Sequence, residues 1–224
     1  IRTGQVDSKF GLDLASGEAM EALRRSKTME HVAVKGLHCH IGSQILEKAP
    51  FVHAAEVMLQ FYAKVRDELG MAFEHLNLGG GFGIHYTAQD DAIPYEEYME
   101  DVSAMVHSTC EKLGLELPRI FIEPGRSIVG EAGITLYTVG SIKEIPGVRN
   151  YVAIDGGMFD NPRYALYQSS YTCLLANKTN QPADYVATIA GKCCESGDLI
   201  QEHTLIQKPE IGDIVAVLST GAYN

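Results

Sequence analysis

Short apolar runs in the first 126 residues end repeatedly in clusters that are polar or rich in glycine, with amphipathic stretches between them. The run 32–41 closes on His40-Ile41-Gly42-Ser43-Gln44. The run 73–78 closes on Gly79-Gly80-Gly81-Phe82-Gly83, and the run 119–122 on Glu123-Pro124-Gly125-Arg126. Such runs read as buried parallel strands and the stretches between them as helices. Pro50 opens one helix to about Leu69, with Phe51, Ala55, Met58, Leu59 and Tyr62 along one face; Pro94 opens another to about Leu113. A further short strand is expected over 10–14, followed by Ser16 as N-cap of a helix to about Arg25. Alternating strands and helices imply a parallel sheet, and polar clusters at strand C-termini are where (β/α)₈ barrels and doubly wound sheets carry their sites. Four strands are expected here where a barrel needs eight, so a barrel requires chain beyond these residues.

After about Ser127 the helical period stops. Short β-rich runs take over at 134–139, 151–154, 185–189 and 214–217, separated by turn residues. The expected organisation is an α/β part over residues 1–128 and an all-β barrel or sandwich over 129–224. No internal repeat or low-complexity segment interrupts either part.

Charge narrows the partners. The chain carries a formal net charge of −11, which argues against a nucleic-acid binder because phosphate backbones need a basic face. A small anion held locally by an arginine or by backbone N–H groups stays possible. The five cysteines are odd in number, include an adjacent pair and match no zinc spacing, so a reduced cytoplasmic protein without a metal site is expected. No apolar stretch is long enough for a membrane span, and no signal peptide is visible. The start Ile1-Arg2-Thr3-Gly4, without an initiator Met, leads us to expect part of a longer protein.

Each motif has a plain reading beside a functional one. The run 79–83 is either a flexible βα loop or a nest of backbone N–H groups for a phosphate; it fits neither a P-loop nor a dinucleotide fingerprint. His40 is a hydrogen-bonded core histidine or a flat ring for stacking on an aromatic ligand, with the Ser43 hydroxyl near a phosphate. His38 shares its strand face, but no carboxylates stand at metal-ligand spacing. Glu123 and Arg126 form a surface ion pair worth about 0–1 kcal/mol, or an ionised carboxylate beside an oxyanion grip. Lys192-Cys193-Cys194-Glu195-Ser196-Gly197-Asp198 is the densest reactive cluster, and a thiol beside two acids favours function over a chance turn. Arg163 and Tyr167 lie four apart and can face one ligand. Tyr223, by itself, is an ordinary strand end.

Taken in order, these motifs resemble the alanine-racemase-like fold class of pyridoxal-phosphate enzymes, and within it the diaminopimelate decarboxylases. The resemblance runs through Ser8-Lys9-Phe10-Gly11, 36–44, 79–83, 123–126, Asp155-Gly156-Gly157-Met158, 160–163, 194–198 and Thr220-Gly221-Ala222-Tyr223. It implies the C-terminal half of a (β/α)₈ barrel followed by a β domain, pyridoxal 5'-phosphate as cofactor, and a homodimer with shared active sites in lysine biosynthesis.

The resemblance also implies roles. His40 would stack on the cofactor ring, while Ser43, Gly79, Gly80 and Gly81 would cradle its phosphate and Tyr223 would approach it. Glu123 would pair with the pyridine nitrogen, where a racemase of the class would place an arginine. Arg126, Arg163 and Tyr167 would hold the distal carboxylate of meso-diaminopimelate, with Arg126 also bordering the cofactor. Cys194, Glu195 and Ser196 would reach into the partner's site, Glu195 reading the distal ammonium and Cys194 protonating the carbanion. Ornithine-directed relatives look more like Cys-Asp-Gly at that point.

The family's cofactor lysine, in a Tyr-Ala-x-Lys-like context, has no counterpart here, since Lys9, Lys35 and Lys192 stand in other contexts. The 224 residues alone are therefore expected to be inactive. Two alternatives remain at this level: a decarboxylase of the same class acting on another amino acid, and a non-catalytic regulatory relative.

Overall fold

The computed structural model describes residues 8–224, so the start at Ile1 and the first residues of the expected 1–128 part lie outside what is described. Two compact units divide the chain. One runs to Gly83 and resumes over Ala92–Pro124; the other joins Ile84–Asp91 to Gly125–Asn224.

The first unit contains α1 (Glu18–Ser26), β1 (Gly36–His38), α2 (Ala49–Leu69), β2 (His75–Asn77), α3 (Tyr95–Leu113) and β3 (Arg119–Phe121). The strands form a parallel sheet in the order β1-β2-β3, pairing Leu37 with Leu76 and Leu76 with Ile120. These are the βα repeats of part of a barrel. Proline starts the long helices where its missing N–H costs nothing: Pro50 sits in the first turn of α2, and Pro94 is the N-cap of α3. Glycine ends both, because Gly70 at φ 63° and Gly114 at φ 61° take the left-handed conformation that terminates helices.

The apolar face of α2 meets α3 and the end of the glycine loop. Phe82 is stacked on Phe51 at 4.7 Å and meets Tyr98 edge-on at 5.2 Å. All three are essentially buried. The Tyr62 hydroxyl accepts from the Leu37 N–H at 3.0 Å and donates to the His75 carbonyl, linking β1 to β2. Burial pushes that hydroxyl up to about 12, so it stays a donor.

Three expectations change here. Residues 10–14 form no strand; Phe10 and Leu12 are exposed, and no described strand pairs with them. The run 32–41 shrinks to a three-residue strand, because Val32 and Ala33 lie in the exposed approach to it. The first unit therefore has three strands rather than four. Helix α1 is capped by Gly17, not Ser16; at φ 84° Gly17 makes the turn a side chain would resist.

The second unit is a six-stranded sheet after a short helix α4 (Arg126–Val129). It comprises β4 (Thr135–Ile145), β5 (Arg149–Ile154), β6 (Cys173–Leu175), β7 (Tyr185–Ala190), β8 (Leu199–Ile206) and β9 (Ile214–Val217), with α5 (Arg163–Tyr167) between β5 and β6. The order is β6-β9-β4-β5-β7-β8, antiparallel except for the parallel β5–β7 pair. Its core is β-branched and aliphatic: Val152, Ile189, Ile200, Ile206, Leu175, Val215 and Val217. Strand β8 escaped the sequence reading because its middle is polar. One of those polar residues, Gln201, is buried and accepts the Tyr171 N–H at 2.7 Å. No helix of the described residues is long and apolar enough to cross a membrane.

Glu202 on β8 links this sheet to α5. It accepts the Tyr164 hydroxyl at 2.5 Å and pairs with Arg149. The Tyr164 hydrogen bond, helped by Arg149, holds its carboxyl below the ordinary 4.5. A depressed carboxylate adds stability above the unfolded-state value and loses it as pH falls through the folded one. Glu202→Gln is thus expected to lower the melting temperature at neutral pH and to narrow the gap from wild type below about pH 4, measured by calorimetry across pH. Phe82→Ala should cost about 3–5 kcal/mol in urea denaturation, by leaving a cavity against Phe51 and Tyr98.

Candidate active site

In the first unit the site residues cluster at the C-terminal ends of β1, β2 and β3. The ladder continues past the strands: the Glu123 N–H donates to the Gly79 carbonyl at 2.8 Å, and the Cys39 N–H to the Asn77 carbonyl at 2.9 Å. The glycine loop is thereby wedged between two neighbours. A Cβ on Gly79 would lie 2.6 Å from the Cys39 carbonyl oxygen, one on Gly80 2.3 Å from that of Glu123, and one on Gly81 2.3 Å from that of Gly42. Gly79 and Gly81 also hold positive φ, at 70° and 100°. Glycine is required at all three positions by space, and at two of them by backbone conformation as well.

Asn77, which the sequence reading passed over, organises this end of the sheet. Its Oδ1 accepts the Gly79 N–H at 2.9 Å, and its Nδ2 donates to Glu123 Oε1 at 2.7 Å. The other carboxylate oxygen, Oε2, lies 3.5 Å from His38 Nε2. Glu123 is therefore aimed from both sides while its side chain stays over half exposed. His40 accepts the Gly80 N–H at Nδ1, 3.3 Å away, which puts the proton of a neutral ring on Nε2. Ser43 sits half-buried beside Gly42 in the loop after β1. Burial pushes the Cys39 thiol up to about 11, which removes it as a nucleophile. Chemically this is an oriented carboxylate, a flat imidazole and a side-chain-free backbone nest within one loop cluster.

In the second unit Arg126 and Arg163 are both buried, at 8% and 7% exposure. Tyr86 lies between them. Arg126 Nη1 donates to its hydroxyl, and the Arg163 guanidinium carbon stands 3.6 Å from its ring centroid. The backbone of Tyr86 is pinned: its N–H donates to Asp90 at 3.0 Å, and its carbonyl accepts the Thr172 hydroxyl at 2.8 Å. The Arg126 guanidinium also stands 4.3 Å from the Tyr223 ring. Arg163 Nη1 is buried with no hydrogen-bond partner, a donor that an anionic ligand would satisfy. Tyr167, one turn along α5, is exposed. Tyr223 is exposed and held at φ 64°, an unusual conformation for a residue other than glycine.

Cys194, Glu195 and Ser196 are exposed on the turn between β7 and β8. The Glu195 carboxylate accepts the Gly197 N–H at 3.2 Å. Among the described residues no group of three or more His, Cys, Asp or Glu side chains could hold a metal.

Sequence reasoning missed Asn77 and Tyr86. The first carries a faint signal, an amide two residues before a glycine run; the second carries none, because its partners come from distant segments.

A family model described as "Pyridoxal-dependent decarboxylase, pyridoxal binding domain" matches residues 1–130. The diaminopimelate decarboxylase of Bacillus subtilis (strain 168) is 49% identical over 223 residues, covering 100% of this chain and 51% of that protein. That of Staphylococcus aureus (strain COL) is also 49% identical, over 225 residues, covering 100% of this chain and 52% of that protein. The crystal structure of diaminopimelate decarboxylase from M. jannaschii in co-complex with L-lysine superposes with a TM-score of 0.89 at 37% identity, covering 99% of this chain and 50% of that one. The chain spans about half the length of the curated relatives it matches.

Gly80→Ala forces the loop away from Glu123 and is expected to weaken pyridoxal-phosphate binding about tenfold, or about 1.4 kcal/mol. Fluorescence titration of the protein at the full length of its relatives measures this.

Proposed function

The chain belongs to the pyridoxal-dependent decarboxylases, and on that footing we propose that the whole protein converts meso-2,6-diaminopimelate to L-lysine and carbon dioxide. The observation that carries the proposal is the Glu123 carboxylate, held by Asn77 at 2.7 Å and flanked by His38 at 3.5 Å, beside a glycine loop with no room for side chains. These residues fit pyridoxal phosphate: the nest of Gly79, Gly80 and Gly81 with Ser43 suits its phosphate, His40 its ring face, and Glu123 its ring nitrogen. Tyr223 is assigned to the cofactor as well. Pyridoxal phosphate supplies, when bound, the electron sink that decarboxylation needs.

The chain's own residues then divide the remaining work. Glu123, oriented by Asn77 and His38, would face the ring nitrogen and hold a proton there. The buried guanidiniums of Arg126 and Arg163, with Tyr167, bind the distal carboxylate of the substrate. The unsatisfied Nη1 of Arg163 supports that assignment. Glu195 recognises the distal ammonium with Ser196 beside it, and Cys194 delivers a proton to the carbon that has lost its carboxyl group. These three act across a homodimer interface, in a protein placed in the cytoplasm. The free state of all five cysteines is compatible with that compartment.

The test is product analysis with the protein at the full length of its relatives. Equal amounts of lysine and carbon dioxide from meso-diaminopimelate, with little turnover of ornithine or lysine, are expected. Turnover of another amino acid would transfer the assignment to a different decarboxylase, and no turnover of any would favour a regulatory relative. Cys194→Ala is expected to lower kcat about 10²–10⁴-fold, the usual range for losing a general acid, with KM nearly unchanged.

A further inference from the structure

Asp198 closes the turn that carries Cys194, yet unlike its neighbours it is buried, at 2% exposure. Carboxyl oxygens at such a place need hydrogen-bond donors. Asp198 has them from two separate loops. Oδ1 accepts the Met158 N–H at 2.6 Å, and Oδ2 accepts the Cys193 N–H at 2.7 Å. Two glycines make the room. A Cβ on Gly157 would lie 2.7 Å from both carboxylate oxygens, and one on Gly191 2.3 Å from both. The backbone completes the link: the Lys192 N–H donates to the Gly156 carbonyl at 3.0 Å, and the Gly191 N–H to the Asp198 carbonyl at 2.8 Å. The run 155–158, which no catalytic role absorbs, is thus the other half of a clamp on the reactive turn.

The clamp treats the two adjacent thiols differently. Cys193 is half-buried with its amide tied to Asp198, while Cys194 is exposed. We propose that Asp198 is a positioning residue that holds the Cys194-Glu195-Ser196 turn on the 155–158 loop and makes Cys194, not Cys193, the reactive thiol. The groups around the Cys193 sulfur act in the same direction. Burial, then the Asp198 carboxylate and more weakly Asp160, push its thiol up, against a smaller opposite pull from Lys192. Cys193 is therefore the more hindered thiol and the harder one to deprotonate, while Cys194 is exposed to solvent.

This inference rests on the catalytic role given to Cys194, but its test needs no turnover. The protein at the full length of its relatives is alkylated with iodoacetamide across pH, and each thiol is followed by mass spectrometry. In wild type, Cys194 should react about tenfold faster than Cys193 near neutral pH, because it is exposed while Cys193 is half-buried with its thiol pushed up. Asp198→Asn retains the shape but sets an amide NH₂ against a backbone N–H; it should cut that preference severalfold and lower kcat more than it raises KM. Gly157→Ala, which crowds the carboxylate without removing it, should act in the same direction and serves if the first variant does not fold. Equal reactivity of the two thiols in wild type overturns the proposal. So does an unchanged preference in a folded Asp198→Asn or Gly157→Ala protein. If the preference behaves as expected but meso-diaminopimelate is not decarboxylated, the substrate assignment fails and the positioning role stands.

Discussion

The side-chain amide of Asn77 is the contact on which the arrangement of the first unit's loop cluster depends. With one atom it shapes the glycine loop, and with another it orients Glu123. The arrangement works only because β2 lies between β1 and β3 in a parallel sheet, so that the three strands deliver their C-terminal residues to one end. The glycines follow as a consequence. With neighbouring carbonyl oxygens 2.3–2.6 Å from where a Cβ would stand, any side chain would push the loop off both flanking strands.

The second unit solves a different electrostatic problem. In a chain with a net charge of −11, two guanidiniums are buried around one tyrosine ring. Face-on contact with Tyr86 and a hydrogen bond to its hydroxyl replace part of the lost hydration. The positive charge is thus concentrated in a small buried site rather than spread over a basic surface. The buried carboxyl group of Asp198 is the converse case, an acidic side chain held by backbone N–H groups with no cation at salt-bridge distance among the described residues.

Glycine and carboxylate recur as a pair in both units. Gly80 abuts the backbone of Glu123, while Gly157 and Gly191 abut the carboxylate of Asp198. In each case the glycine makes room for close approach of the acid or its backbone.

Much of the fold was legible in the residues. The prolines and glycines bounding α2 and α3 act locally, through φ restriction and helix termination, so their limits could be read within a residue. The apolar runs of β2, β3, β5, β7 and β9 were visible for the same reason. Strand β8 was not, since its buried Gln201 is polar and only a partner in another segment satisfies it; nor was the loss of the strand expected over 10–14, since a strand exists only where a neighbour offers a ladder. The sequence by itself determined which residue types stand at the strand ends, and through them the family. Tertiary structure alone decided that Asn77 aims Glu123, that Tyr86 joins two arginines, and that Asp198 distinguishes two adjacent cysteines. Those are contacts between residues distant along the chain, and neither periodicity nor local propensity encodes such distances.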